Sequence, residues 1–189
     1  MDINIDVTNL KIETKRLILR PWKETDLSDF YEYASVEGVG EMAGWKHHES
    51  IEESKKILDS FICGKNIFAI VYKENNKVIG SFGLHESWVN GEAAYGNLNA
   101  KEIGYVLSKD YWGMGLMPEA VKKVIKFLFD EIKLDAVTIC HFSHNNQSRR
   151  VIEKCGFKFL KKEVFYSKRL DLTFDDMQYI LYNNEKAVK

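Results

Sequence analysis

Residues 110–120, DYWGMGLMPEA, place Gly113 and Gly115 one residue apart, after an apolar run and just before the start of a helix. Such a turn gathers unpaired backbone N–H groups where the helix dipole favours negative charge, so phosphate is its natural ligand. The spacing narrows which phosphate. A triphosphate loop needs Gly, four residues, then Gly-Lys-Ser/Thr. Here Met117 and Pro118 follow Gly115, leaving no lysine for a γ-phosphate and no hydroxyl for Mg²⁺. The dinucleotide fingerprint needs a third glycine, which Pro118 replaces, and it belongs in the first strand–helix unit of a domain. The plain alternative is a tight turn that only connects strand to helix.

Other reactive side chains suggest less. His47-His48 and His141 with His144 could supply imidazoles to a metal, but no acidic or thiolate ligand is patterned beside them, and no metal is expected. Cys63, Cys140 and Cys155 are odd in number, far apart and in no CxxC pair, which argues against disulfides and thiolate metal sites. A nucleophilic Cys140 or Cys155 would need a patterned histidine, so both read as small core residues. Arg149, Arg150 and Lys154 form a basic helix face, either solvated or turned to a phosphate.

The elements that must position these groups come in mixed order. KRLILRP (15–21) alternates like a strand that Pro21 closes, and Thr25 can cap a helix whose Leu27, Phe30, Tyr31 and Ala34 share a face. Ser50 with Glu53 makes a capping box for a second helix with the stripe Ile57, Leu58, Phe61 and Ile62, stopped by Gly64. Residues 66–73 and 77–86 read as a hairpin, and 87–100 as a long excursion. KEIGYVL (101–107) leads into the glycine turn. Pro118 suits the first turn of a helix carrying Val121, Val124, Ile125 and Leu128 on one face. AVTICHF (136–142) is a strand, SRRVIEK (148–154) a short helix ended by Gly156, and two closing strands follow. This order implies an α/β or α+β sheet with both pairing senses.

At 189 residues with 45% hydrophobic content, the chain is read as a single domain (1–189), with residues 1–11 and 184–189 as loose tails. Lys+Arg 27 against Asp+Glu 28 argues against a nucleic-acid binder. The acidic N-terminus is unlike a signal peptide and no segment is long enough to span a membrane, so a cytoplasmic monomer or homodimer is expected, binding neither nucleic acid nor membrane.

Read together, KEIGYVLSKDYWGMGLMPEAVKKVIKFLF and NNQSRRVIEKCGF, with IETKRLILRPWKETDL and GWKHHES, resemble the GNAT superfamily of acetyl-CoA-dependent N-acetyltransferases, in particular its ribosomal-protein N-terminal (alanine/serine) branch. The likeness runs from Ile12 to about Tyr182. It implies a mixed, mostly antiparallel sheet of about seven strands, flanked by helices and splayed between its central strands. It implies that Trp112, Gly113, Met114, Gly115, Leu116 and Met117 cradle the coenzyme A pyrophosphate, with Asn145 and Ser148 at the coenzyme's other flank. The chain departs from the superfamily's usual residues at Trp112 and Met117, and again at Ile152, where many members carry a tyrosine acid.

Acetyl transfer to an amine needs a neutral nucleophile, proximity, donors for developing negative charge and a path for two protons. With the resemblance, Glu102 is the expected proton acceptor, Ser148 the donor to the leaving thiolate, and the N–H groups of Tyr105, Val106 and Leu107 the oxyanion donors. The plain alternative for Glu102 is a wet strand end. Trp45 and Trp88 fall in segments expected to border the acceptor. The resemblance implies a primary-amine acceptor, the α-amine of a ribosomal protein or a small molecule such as a polyamine, amino acid or antibiotic. A non-catalytic acetyl-CoA-binding module is the alternative from another class.

Overall fold

The computed structural model describes residues 3–96 and 98–183. Among these, one sheet holds β1 (Ile12–Glu13), β2 (Leu17–Pro21), β3 (Ile67–Tyr72), β4 (Lys77–Glu86), β5 (Ala100–Leu107), β6 (Ala136–Phe142), β7 (Lys158–Ser167) and β8 (Leu172–Tyr182). Its helices are α1 (Leu27–Ala34), α2 (Ile51–Gly64), α3 (Leu116–Asp130) and α4 (Asn146–Lys154). The strand order is β1-β2-β3-β4-β5-β6-β8-β7, antiparallel throughout except β5 with β6. The strand beyond the expected seven is β1, whose two residues pair with Leu19 and Ile18 and are too few to leave a period.

The strand β3 shows how the layers form. Its run IFAIVY is apolar at every position because both faces are covered. Phe68 and Ile70 join the cluster under α3, with Ile103, Val121, Val124 and Leu128, whereas Ala69 and Val71 join Trp22, Phe30 and Leu58 under α1 and α2. Residues 3–11 depart from the expected loose tail. Ile5 and Val7 are buried in the α3-side cluster, and the Val7 N–H bonds the Lys65 carbonyl at 2.9 Å. Burial of two such side chains stabilises by about 1.5–3 kcal/mol each, which outweighs their lack of periodicity. The other expected tail, 184–189, lies outside the described residues.

Helix ends follow local chemistry with two revisions. Ser50 Oγ accepts from the Glu53 N–H at 3.2 Å, as its spacing predicts. Thr25 sits instead inside a short 3₁₀ turn, and Asp26, bonded to Arg20 at 2.7 and 2.8 Å, precedes α1. Gly64 is the last residue of α2, and Lys65 takes the left-handed conformation that ends it. Gly156, with φ +87°, follows α4 as expected.

The feature that makes a site is the junction of β5 and β6. The two strands pair only at Ala100–Ala136, Lys101–Val137 and Glu102–Thr138. Beyond these, β5 runs on to Leu107 and β6 to Phe142 without pairing to each other, and a cavity opens in the gap.

Candidate active site

The cavity has a volume of about 480 Å³. Its walls are β5 from Glu102, β6 from Ile139, the turn before α3, the start of α4 and residues 39–43 between α1 and α2. The fold thereby brings Glu102, Tyr105, Val106, Leu107, Trp112, Gly113, Gly115, Leu116, Met117, Asn145 and Ser148 to one surface from three separate stretches of chain.

Three expected residues stand elsewhere. Met114 has an exposed side chain and does not line the cavity, and its carbonyl accepts from Arg16 Nη1 at 2.8 Å. Trp45 packs against the His48 ring at 5.1 Å and fills the space over Gly40, where an added Cβ would lie 2.2 Å from the indole. Trp88 stacks edge-on with Tyr95 at 5.8 Å under the Lys161 ammonium. The apolar bodies of both indoles are drawn into packing clusters, so neither reaches the cavity wall. The histidines also separate: His47 bonds Glu41 at 2.8 Å, His48 bonds Ser54 at 2.6 Å and His141 bonds Tyr179 at 3.2 Å.

The glycine turn owes its shape to conformations that side chains resist. Gly113 and Gly115 have φ of +78° and +73°, and Gly115 is the N-cap of α3 with no side-chain cap. The first-turn N–H groups of α3 lack intrahelical partners and carry the positive end of its dipole. An added Cβ at Gly113 meets nothing within 4 Å, and one at Gly115 meets only Arg16 Nη2 at 3.8 Å, so the space before the turn is open. Arg16 fastens the turn: its Nε donates to Glu119 Oε2 at 2.8 Å, its backbone N–H to Glu119 Oε1 at 2.9 Å, and its Nη1 to Met114. Trp112 Nε1 donates to the Leu107 carbonyl at 2.8 Å and ties the turn to β5. Arg150 and Lys154 add positive charge along the wall, whereas Arg149 pairs with Glu153.

On β5, the Val106 carbonyl is directed at Gly80 of β4, and the Ser108 N–H bonds the Ile79 carbonyl at 2.8 Å. Backbone groups alternate along a strand, so the N–H groups of Tyr105 and Leu107 face the gap and that of Val106 faces β4. Of the three N–H groups expected as oxyanion donors, two face the gap.

Glu102 stands at the floor of the gap. Burial pushes its carboxyl up to about 7, the nearby Asp176 charge adds to the rise, and a bond from Cys140 Sγ at 3.3 Å opposes it. Burial also raises Asp176, which accepts from Gln178 Nε2 at 3.2 Å. Cys140 is held as the thiol, its pKa raised first by burial and then by these two carboxyls, which leaves it no nucleophilic thiolate. A carboxyl poised near neutrality in a cavity is suited to general-base work.

Asn145 Oδ1 accepts from the Ser148 N–H at 3.0 Å and caps α4, while its Nδ2 donates to the Met42 carbonyl at 3.1 Å. Its amide thus joins α4 to the α1–α2 connection. Ser148 Oγ lies 3.0 Å from the Tyr105 hydroxyl. Three contributors escaped sequence reasoning: Arg16, Asp176 and the pairing of Tyr105 with Ser148. Each acts across 36 or more residues, and no local spacing marks such a contact.

The sheet thus parts between two parallel strands, a glycine turn heads the helix that joins them, and a buried carboxyl lies in the gap. Residues 16–158 match the acetyltransferase (GNAT) domain family, and the chain belongs to it. It is 27% identical over 152 residues to the uncharacterized N-acetyltransferase YoaA of Bacillus subtilis, covering 78% of this chain and 82% of that protein. The ribosomal-protein-S5-alanine acetyltransferase of Vibrio fischeri superposes with a TM-score of 0.70 at 20% identity, covering 94% of this chain and 98% of that one. The microcin C7 self-immunity acetyltransferase MccE, solved in complex with acetyl-CoA and AMP, gives 0.73 at 16% identity, covering 95% and 100%. The protein is therefore an N-acetyltransferase of the GNAT fold. No helix among the described residues is long and apolar enough to cross a membrane.

Proposed function

We propose that the protein transfers acetyl from acetyl-CoA to the α-amine of a protein N-terminus, a ribosomal protein being the leading acceptor. The observation that carries this reading is the buried Glu102 carboxyl, poised near 7, in the same cavity as an anion-type glycine turn. The open space before Gly113 and Gly115 fits a pyrophosphate approached by backbone N–H groups, with Arg150 and Lys154 along the same wall. Bound there, acetyl-CoA supplies the activated acetyl thioester. Glu102 takes a proton from the acceptor ammonium and releases a neutral nucleophile. The N–H groups of Tyr105 and Leu107 stabilise negative charge on a carbonyl oxygen in the gap. Ser148 donates a proton to the departing sulfur. The ribosomal acceptor rests on the likeness in sequence and on the named activity of the Vibrio fischeri neighbour.

A small cationic amine is the second reading, favoured by Asp176, which adds a second carboxyl to the cavity beside Glu102. Glu92 adds nothing to such a site, because Lys161 holds it at 2.7 Å.

Thermal unfolding with candidate ligands tests the coenzyme assignment. Acetyl-CoA at a hundred times its dissociation constant should stabilise the fold by about 2.7 kcal/mol, while NADH and Mg-ATP should not. An unchanged melting temperature at millimolar acetyl-CoA would overturn it. Thiol release with Ala- and Ser-initiated peptides, spermidine and free amino acids then separates the acceptors.

A further inference from the structure

We propose that Tyr105 is a positioning residue for Ser148: its phenol donates to Ser148 Oγ and thereby turns the Ser148 proton into the cavity, toward the sulfur of bound coenzyme. The inference rests on the coenzyme assignment above and adds a residue to it.

The contact joins two elements. Tyr105 projects from β5 on the same face as Ile103 and Leu107, which pack under α3, and Ser148 sits in the first turn of α4. The Tyr105 oxygen is 3.0 Å from Ser148 Oγ and 3.4 Å from the Ser148 carbonyl, and both residues line the cavity. Two arrangements of the two protons are open. In one, Tyr105 donates to the serine carbonyl and Ser148 donates back to the phenol, so no hydroxyl proton is left for the cavity. In the other, Tyr105 donates to Ser148 Oγ and the serine proton is free.

Geometry selects the second. Ser148 lies within α4, where its carbonyl serves the i+4 N–H at Ile152, and the phenol contact to that carbonyl is the longer of the two. Ser148 Oγ can accept while it donates, and its own backbone N–H is held by Asn145. Burial raises the phenol's pKa, so Tyr105 remains a proton donor across the working pH range. A serine hydroxyl that accepts from a phenol is polarised and becomes a stronger donor in turn.

The reaction balances through this pair. As the amine nitrogen bonds to the acetyl carbon and the carbon–sulfur bond breaks, the nitrogen gives up its second proton to solvent, and the sulfur leaves with the electron pair and takes the Ser148 proton. Ser148 then regains a proton from solvent, while Tyr105 keeps its own. A hydrogen bond donated to the thiolate favours that charged form, so the pair should lower the pKa of the thiol of bound coenzyme A.

That thiol is the probe, and no acceptor is needed. Free coenzyme A is titrated with protein in excess, following the ultraviolet absorbance of the thiolate, for wild type, Tyr105→Phe, Ser148→Ala and Ser148→Thr. In wild type the bound thiol should titrate below free coenzyme A. Ser148→Ala should remove that depression and Ser148→Thr should keep it. Tyr105→Phe should raise the bound thiol's pKa by about one unit, the size of one weakened bond to a charged group. A Tyr105→Phe protein whose bound thiol titrates as in wild type would overturn the proposal while leaving coenzyme binding standing. Failure of wild type to bind coenzyme A would overturn both. If Tyr105→Phe does not fold, difluorotyrosine at position 105, a more acidic phenol, should lower the thiol pKa further, and no change there overturns the proposal.

Discussion

Replacing Glu102 with Gln should make the protein more stable and less active at once. The Glu102 carboxyl titrates at about 7 in the fold against an ordinary 4.5, because burial penalises its charged form. The folded state therefore holds this proton more tightly than the unfolded chain. Stability falls as pH rises from about 4.5 to about 7, and the loss is complete above that window. At about 1.4 kcal/mol per pH unit, the gap from 4.5 to 7 amounts to about 3 kcal/mol at pH 8 and about 1 kcal/mol at pH 5. Glu102→Gln keeps the shape and can still accept from Cys140, but it carries no charge to bury. Urea unfolding at pH 5 and pH 8 should show the variant ahead by these two amounts. Its turnover should drop by about 10²–10⁴-fold, and the wild-type rate limb near pH 7 should vanish. Toward pH 9.5 the deficit should narrow, since α-amines then arrive already neutral. An equal stability difference at both pH values would refute the burial argument. Turnover within about threefold of wild type at neutral pH would refute the general-base role, whose usual span is far larger.

Two further outcomes concern the glycine turn. Gly115→Val forces a branched side chain to φ +73° and fills the open space before the turn, so acetyl-CoA affinity should fall at least about tenfold in a protein that still folds. Calorimetry showing intact affinity would make the turn a connector only. Arg16→Ala removes the side-chain bonds to Glu119 Oε2 and the Met114 carbonyl while keeping the backbone N–H bond to Glu119 Oε1, and should weaken acetyl-CoA by roughly three- to tenfold, the effect of losing about one hydrogen bond, with the rate limb near pH 7 unmoved. Unaltered affinity would show that the turn holds its shape without that anchor.

Elements with strong local signals were legible in the sequence. The 3.6-residue stripe of α3, the β-branched run of β6 and the 74–76 hairpin turn all lie where the pattern puts them. The stretch from Glu102 to Met117, where the family's likeness is continuous, supplies most of one side of the cavity, although Met114 within it points away. Illegible were the contacts that only tertiary packing makes. Arg16 sits in an ordinary strand-like run, and nothing there announces a partner at Glu119. Asp176 reads as an ordinary polar residue of a strand until the fold brings Cys140 of β6 and Glu102 of β5 near it. Trp45 and Trp88, expected to border the acceptor, do not line the cavity. Their large apolar area is used to fill gaps over Gly40 and beside Tyr95, and proximity in sequence to a site says nothing about which way a ring is drawn.

The short seam between β5 and β6 also changes what the sheet presents to its surroundings. A free strand edge is a template for any extended chain, and proteins usually cover such edges or keep them short at the rim of a sheet. Here two edges, β5 past Glu102 and β6 past Thr138, lie in the middle of the sheet with helices α3 and α4 beside them. They are shielded from other proteins by the depth of the fold, yet they open to whatever fits a 480 Å³ cavity. The backbone itself, independent of side-chain identity, thus offers a ladder of donors and acceptors to a slender molecule with amide groups of its own. Substitutions along the cavity walls can retune the acceptor while that ladder stays in place.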